Sequence, residues 1–409
     1  MTYTSVIVVS YRPGVWLSDC LASVAGVADE VVVVDNASPG REASSVALRY
    51  GARVVRTHRN LGFAGGVAAG LAEASGEIIG VLNDDARADE RWLSSAADVL
   101  ADPTVAAVTP KVLLSEPFIE VRLDEEAWFA PGDPRPLGRQ VRSLCVDGRE
   151  VLGSAVGGGI HDLETGGDDR WRWTAGTKPF YVPAGVVSTA SDTAGSGTYA
   201  AEVVVNGESA VTGPLVRLVN HAGSFLRSHG IAGEYGFGAP DDGRFDTPAE
   251  RFGFSGTAPV FRAEVLRRIG GFSQPFFAYN EDTDWCLRAR LGGLRVMYDP
   301  GGTVVHRLSA TSGGTGAAFV RRLSQRNALL CLLRNAPLGV ARREVEQRLR
   351  RGWRDQVARE VALRLPWALA SRASLSRRWV GDPAQVWQAW ADRDTTWDDS
   401  PAGAAARWA

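Results

Sequence analysis

The sequence predicts an α/β fold: a sheet of buried strands with helices on both faces, a β-rich insertion, and a helical C-terminal region. Three observations predict it. Residues 1–110 alternate short apolar runs with amphipathic ones, the pattern of strand–helix repeats. Residues 115–214 lose helical periodicity and are rich in Gly, Pro, Thr and aromatics. Residues 319–380 regain it, with fifteen arginines against four acidic residues. With 409 residues, 45% hydrophobic content and a formal net charge of −2, the chain can fill more than one core. The same figures point neither to a disordered chain nor to an overall nucleic-acid-binding charge.

Taken in order, strands read at Ser5–Ser10, Glu30–Asp35, Ala52–Thr57, Glu77–Leu82 and Ala106–Pro110. Helices read near Val15–Val24, Glu42–Tyr50, Ala64–Ala74 and Arg91–Leu100, Pro13 fitting the opening of the first. Such alternation implies a parallel sheet. The insertion spans 115–214, where Trp171 and Trp173 alternate with Arg170 and Arg172 as on a half-buried strand. Thr198–Val211 reads as a hairpin turning at Asn206-Gly207. Packing its own small core and stacking on a sugar or lipid-linked acceptor are both open uses of its aromatics. Residues 215–318 return to the main domain, with a helix at Ala263–Ile269, a helix at Trp285–Leu291, a strand at Arg295–Tyr298 and another ending at His306. Residues 319–392 read as basic helices separated by Pro337 and Pro366, and 393–409 as a disordered tail.

The four cysteines (Cys20, Cys145, Cys286, Cys331) form no C-x-x-C pair, which suits a reducing cytoplasm. No basic leader opens the chain, and no apolar run reaches the ~18 residues of a membrane span. A cytoplasmic location is expected. The arginines of 319–380, punctuated by Trp353, Trp367 and Trp379, suit either a peripheral contact with the inner membrane face or solvated helices packed on the main domain. DNA binding has no accompanying motif.

Chemistry-bearing residues collect after strands. Ser10-Tyr11, Asp35-Asn36, Asn60-Leu61-Gly62 and Asn83-Asp84-Asp85 all stand at the edge where open α/β sheets bind ligands. Adjacent carboxylates repel unless a cation compensates, and carboxylate oxygens suit Mg²⁺ or Mn²⁺ bridged to phosphates. Capping of the following helix is the plainer use. Asp35 can accept from the imide of a nucleobase or hold its own turn. The Asn60–Gly66 loop can offer backbone amides to a phosphate or be a tight turn; it is not a Walker loop. Further on, Phe254-Ser255-Gly256-Thr257-Ala258 precedes Glu281-Asp282-Thr283-Asp284-Trp285, three carboxylates in four residues. They can cap the helix or supply a general base. His306, one of five histidines, can be structural or complete a metal site with Asp84-Asp85.

Together these motifs resemble family-2 inverting glycosyltransferases of the GT-A fold, a Rossmann-like nucleotide-diphospho-sugar transferase fold. The similarity is greatest to non-processive bacterial rhamnosyltransferase-like and galactofuranosyltransferase-like members. SVIVVSY (Ser5–Tyr11), VVVVDNAS (Val31–Ser38), NLGFAGG (Asn60–Gly66), LNDDA (Leu82–Ala86) and FFAYNEDTDWCLRAR…VVH (Phe276–His306) carry it, over residues 3–114 and about 215–335. The resemblance implies that 1–114 is the nucleotide-sugar half and 215–318 the acceptor and catalytic half. It implies donor contacts from Ser10, Tyr11, Asp35, Asn60, Gly62, Asn83 and Asp84. It implies Asp85 and His306 as ligands of Mn²⁺ or Mg²⁺, Asp282 as catalytic base, and Gly256, Glu281 and Trp285 on the acceptor side. Asn83 replaces the first aspartate of the usual D-x-D. Gln325-Arg326-Asn327 stands where processive members carry Q-x-x-R-W, which implies transfer of one or a few sugars. The implied partners are a nucleoside-diphosphate sugar, dTDP- or UDP-linked, and a glycan or lipid-linked acceptor of cell-envelope synthesis, or a secondary metabolite. The remaining alternatives are a silent carbohydrate-binding scaffold and a nucleotidyltransferase, the latter poorly served by the glycine-poor Ser10–Gly14 loop. Oligomeric state is not implied.

Overall fold

Val, Ile and Leu fill β1 (Thr4–Ser10), β2 (Glu30–Asp35) and β4 (Ile78–Asn83), and these strands lie at the centre of the sheet. The computed structural model describes residues 2–166, 169–184, 202–307, 317–350, 352 and 354–391. β1 pairs in parallel with β2 on one side and β4 on the other, and β2 with β3 (Arg53–Arg56). Helices α1 (Trp16–Val24), α2 (Glu42–Arg49), α3 (Gly62–Leu71) and α4 (Trp92–Leu100) connect them. On α1, Leu17, Cys20, Leu21 and Val24 are buried, a stripe at i, i+3, i+4, i+7. Each such Leu contributes about 1.5–3 kcal/mol by leaving water.

The sheet is mixed, not parallel throughout. β6 (Val105–Leu114) does not pair with β4, because a late strand separates them. Between β6 and β4 lies Val260–Arg262, labelled β8 here because β7 (Val219–His221) precedes it, and it runs antiparallel to both. Short β5 (Ala86–Ala88) lies where the sequence reading placed no strand. The two expected strands from Arg295 onward are one strand, β9 (Arg295–His306), parallel to β6. Its register shifts between Asp299 and Thr303, over Pro300-Gly301-Gly302. Gly302 lies so close to the Trp92 backbone that a side chain there would collide with it.

The inserted segment consists of short antiparallel strands, including Phe118–Arg122, Phe180–Pro183 and Val211–Val216. Ile119, Val121, Leu144, Val146, Phe180 and Val182 belong to a hydrophobic cluster of its own. In the strand Asp169–Trp173 the alternation runs opposite to expectation: Arg172 is the buried residue. Its guanidinium donates to the carbonyls of His161, Leu152 and Ala155. The Asn206-Gly207 turn joins Val203–Val205 to Glu208–Ser209; the start of the expected hairpin, 198–201, lies outside the described residues.

Helices α5 (Ala263–Ile269) and α6 (Glu281–Leu291) lead to the C-terminal helices α7 (Ala317–Asn335), α8 (Leu338–Leu349), α9 (Gln356–Leu375) and α10 (Pro383–Trp390). Pro366 does not end a helix as expected; it lies inside α9 on the exposed side, where water can serve the carbonyl its missing N–H leaves unpaired. Asp284 ties α6 to α7. Fully buried, it is paired with Arg288 at 3.0 Å and Arg334 at 2.9 Å, and accepts from Asn335 at 2.8 Å. Burial pushes its pKa up, but the two guanidiniums outweigh that and hold it below the ordinary value. The expected tail, 393–409, lies outside the described residues. No helix among the described residues is long and apolar enough to cross a membrane.

Candidate active site at the sheet edge

Strand register brings Asp85 and His306 together. β5 runs antiparallel to the end of β9 and sets His306 opposite Ala86, the residue after Asp85. The Arg307 amide donates to the Asp85 carbonyl at 3.0 Å, closing the pairing. His306 Nε2 consequently lies 3.2 Å from Asp85 Oδ1, although 220 residues of chain separate the two. Both side chains are nearly buried.

Asn220 on β7 fixes the imidazole from behind: its Oδ1 is 2.8 Å from His306 Nδ1. With Nδ1 donating to Asn220, a neutral imidazole turns its Nε2 lone pair toward Asp85. A lone pair facing a carboxylate repels it unless a cation stands between. Two ligands bound at about 2.1 Å and at right angles around Mg²⁺ or Mn²⁺ would be about 3.0 Å apart, close to the separation here. The donor set of one carboxylate and one imidazole therefore fits such an ion. Among the described residues no group of three or more His, Cys, Asp and Glu is assembled around a metal. Asp85 and His306 would hold the ion and leave its remaining positions to groups from outside the chain, as is usual for Mg²⁺.

Asp84 is held differently. Its Oδ2 accepts from Ser10 Oγ at 2.7 Å, joining the tips of β1 and β4. Burial drives its pKa up to about 7, with the Asp85 charge adding to the rise and Ser10 and His306 opposing it. Asn83 reaches His306 Nε2 at 3.5 Å. Tyr11 is partly exposed, with the Arg12 guanidinium 5.3 Å from its ring centre.

Asp282 stands in the first turn of α6 and is the one residue of that helix left partly exposed. It accepts from the Gly256 amide at 3.2 Å and the Thr283 amide at 2.6 Å. The neighbouring Thr257 carbonyl accepts from the Asn83 amide at 3.0 Å, so one short segment links both acidic clusters. Burial raises the Asp282 pKa, and the Thr283 and Gly256 amides restrain it. Glu281 is more deeply buried, and its Oε2 has no hydrogen-bond partner. Burial, then the Asp282 charge, push its pKa well up. The pair thus favours a protonated Glu281 beside an ionised Asp282.

Three expectations need correction. Trp285 does not line the acceptor side. It is fully buried against Phe254 and Phe261 (ring centres 5.5 and 4.9 Å), and its Nε1 donates to the Gly270 carbonyl at 2.9 Å. Asp35 does not present a free carboxylate. It is fully buried, with Arg56 Nη1 at 2.6 Å, Ser44 Oγ at 2.7 Å and the Ser38 amide at 3.0 Å. Burial raises its pKa, but Ser44, Ser38 and Arg56 together bring it below the ordinary value. In this conformation it anchors the turn before α2, and reading a base edge would require Arg56 to move. The Asn60–Gly62 loop likewise has few free amides. Those of Leu61 and Gly62 donate to the Asn36 and Asn60 carboxamides, and that of Ala64 to the Phe277 carbonyl.

Two sets of residues escaped sequence reasoning. Asn220 is one. The other is Arg326 and Asn327 on α7. Asn327 Nδ2 lies 2.9, 2.8 and 2.7 Å from the carbonyls of Phe276, Ala278 and Tyr279, and Arg326 Nη2 donates to Phe276 at 2.7 Å. In the segment they hold, Phe277, Tyr279 and Asn280 all have positive φ (69°, 71° and 63°), immediately before Glu281-Asp282. Such residues cost of order 1–3 kcal/mol each and persist where surroundings fix them. The position of α7, where processive relatives would carry a motif, was the available signal.

Comparison with known proteins agrees with this architecture. The sequence profile described as Glycosyl transferase family 2 matches residues 5–138. Rhamnosyltransferase WbbL of Escherichia coli (strain K12) is 38% identical over 52 residues, covering 13% of this chain and 20% of that protein. The solved structure of GalNAc-T7 with UDP, GalNAc and Mn²⁺ superposes with a TM-score of 0.50 at 12% identity, covering 91% of this chain and 57% of that one. The mannosyltransferase PcManGT from Pyrobaculum calidifontis, solved with GDP-Man and Mn²⁺, matches with a TM-score of 0.39 at 17% identity, over 95% and 79%. The chain therefore spans a fifth of the curated relative and little more than half of the GalNAc-T7 chain.

Proposed function

We propose that this chain, which carries a glycosyl transferase family 2 domain at residues 5–138 within a GT-A fold, is a glycosyltransferase. It moves a sugar from a nucleoside-diphosphate donor to an acceptor hydroxyl and inverts the anomeric centre. The single observation that carries the reading is the facing pair of His306 Nε2 and Asp85 Oδ1 at 3.2 Å, with Asn220 holding the imidazole's other nitrogen. Asp85 and His306 would hold Mn²⁺ or Mg²⁺. When bound, such an ion neutralises the charge that builds up on a departing diphosphate. Mn²⁺ in the GalNAc-T7 structure supports the choice of metal, and its UDP supports a UDP-linked donor.

The chain's own residues supply the rest. Ser10 and Asp84 join the strand tips below the donor, and Asn83 adds a carboxamide beside His306. Asp282, accepting from the Gly256 and Thr283 amides, is held ready to take the proton of the attacking hydroxyl. Glu281, favoured in its protonated form, can donate to a sugar oxygen. A single displacement from the face opposite the leaving group inverts the centre, and no covalent nucleophile is needed. The transition state has oxocarbenium character, as in glycoside hydrolysis. A bacterial cell-envelope glycan is the acceptor class this reading favours. The similarity to a rhamnosyltransferase supports including rhamnosyl donors in the panel.

The test is release of nucleoside diphosphate from a panel of UDP-, dTDP- and GDP-sugars, with Mn²⁺ and with chelator. Metal-dependent release or metal-dependent donor binding is expected for at least one donor. Neither, from any donor, would assign the protein to the silent scaffold class.

A further inference from the structure

α9 presents an outward face made almost wholly of carbon. Leu363, Pro366, Leu369, Ala370 and Ala373 are all exposed and recur at three- and four-residue spacing. Leu363 is 77% and Leu369 46% exposed. The opposite side packs inward through Val357, Ala358, Val361 and Ala368. Isolated surface leucines are ordinary, but a stripe along one helix is not. Half of the twelve large exposed hydrophobics among the described residues lie between 319 and 380.

The stripe has arginine at both ends. Exposed Arg359 stands one turn before Leu363, and exposed Arg377 follows Ala373 by one turn. Between 356 and 378 the sole acidic residue is Glu360, and it is engaged with Arg322 at 3.4 Å and Arg326 at 3.3 Å. A second copy of the chain is a poor occupant. A two-fold contact across this face would set arginine against arginine whichever way the helices ran, Arg359 against Arg377 if antiparallel and each against its own copy if parallel, with no free carboxylate on α9 between them. An apolar strip about 15 Å long, with cationic residues beyond both ends, instead matches a headgroup layer that is negative outside and apolar beneath.

We propose that α9 docks on an anionic lipid bilayer, lying in the interface plane with Leu363 and Leu369 inserted and Arg359 and Arg377 at the headgroups. The inference is independent of the transferase reading, because lipid binding is measured without donor. The test is flotation of the full chain with phosphatidylcholine vesicles, with and without about one-third phosphatidylglycerol. Binding is expected to the anionic vesicles alone and to fall as salt rises from about 0.1 to 0.5 M. Leu363→Glu with Leu369→Glu should weaken it at least about tenfold, and Arg359→Gln with Arg377→Gln should remove the anionic preference. Both pairs are exposed, so circular dichroism and melting should match wild type; if the Glu pair unfolds, the Ser pair replaces it. No vesicle binding, equal binding to neutral vesicles, or undiminished binding by the leucine variant would overturn the proposal. Self-association abolished by the leucine variant, without vesicle binding, would assign the face to a second copy and also overturn it.

Discussion

Replacing Asn327 tests whether the helix behind the proposed catalytic loop controls the chemistry. Its Nδ2 faces three carbonyls at 2.7–2.9 Å, and that of Phe276 also accepts from Arg326. Asn327→Leu removes this shared donor from all three carbonyls. Losing a donor to buried or part-buried carbonyls costs about 1–3 kcal/mol, so a loss of that order in stability follows if the loop stays in place. If the loop instead relaxes, the three positive-φ residues are released and Asp282 shifts. A displacement of about 1 Å at a reacting group costs on the order of a hundredfold in rate. The expected result is a folded protein of lower melting temperature, with kcat down about a hundredfold and donor KM changed by less than about threefold. Asn327→Asp keeps the shape but sets oxygen against three carbonyls, and should be at least as damaging. Denaturant melts and steady-state kinetics on both variants measure this. Wild-type stability and kcat in Asn327→Asp would refute the reasoning.

The other predictions concern single groups. Asp85→Ala and His306→Ala should each abolish metal-dependent donor binding in calorimetry, and Asn220→Ala should weaken metal affinity about 10–100-fold by freeing the imidazole. Asp282→Asn should lower kcat by about 10²–10⁴ while donor affinity holds; near wild-type transfer would remove Asp282 from the base role. Gly62 has φ of +70° and lies against the Phe277 carbonyl, so Gly62→Ala should lower the melting temperature and impair turnover together. His221 is fully buried, and burial, with a smaller contribution from His306, lowers its pKa to about 3. The folded state thus binds this proton more weakly than the unfolded chain. The stability it contributes is complete above about pH 6.5 and is lost as pH falls toward 3. Melting temperature should fall more steeply over that range in wild type than in His221→Gln.

The inner strands were readable because burial on both faces leaves a continuous apolar run, as in Val31–Val34. The helix stripes were readable for the same local reason. What failed was non-local. Val260–Arg262 enters the sheet between β4 and β6 from far along the chain, and nothing near β4 announces it. Ala86-Arg87-Ala88 has no strand signature of its own and is a strand only because β9 pairs with it. That same pairing sets the Asp85–His306 contact, whose members the sequence did nominate. Asp35 looked free at a strand tip because Arg56, 21 residues on, carries no mark of its partner. Trp285 adjoins an acidic cluster in sequence, yet Phe254 and Phe261 draw its ring into the core. Asn220 and Asn327 act through carboxamides held against distant groups, and an isolated asparagine gives no warning of that.

The most direct measurement is a crystal structure with Mn²⁺ and a nucleoside diphosphate, with manganese located by its anomalous scattering. The account predicts a peak within about 2.2 Å of both Asp85 and His306, contacting the diphosphate. A nucleotide bound in the cleft, with manganese absent from these two side chains or held elsewhere, would contradict it.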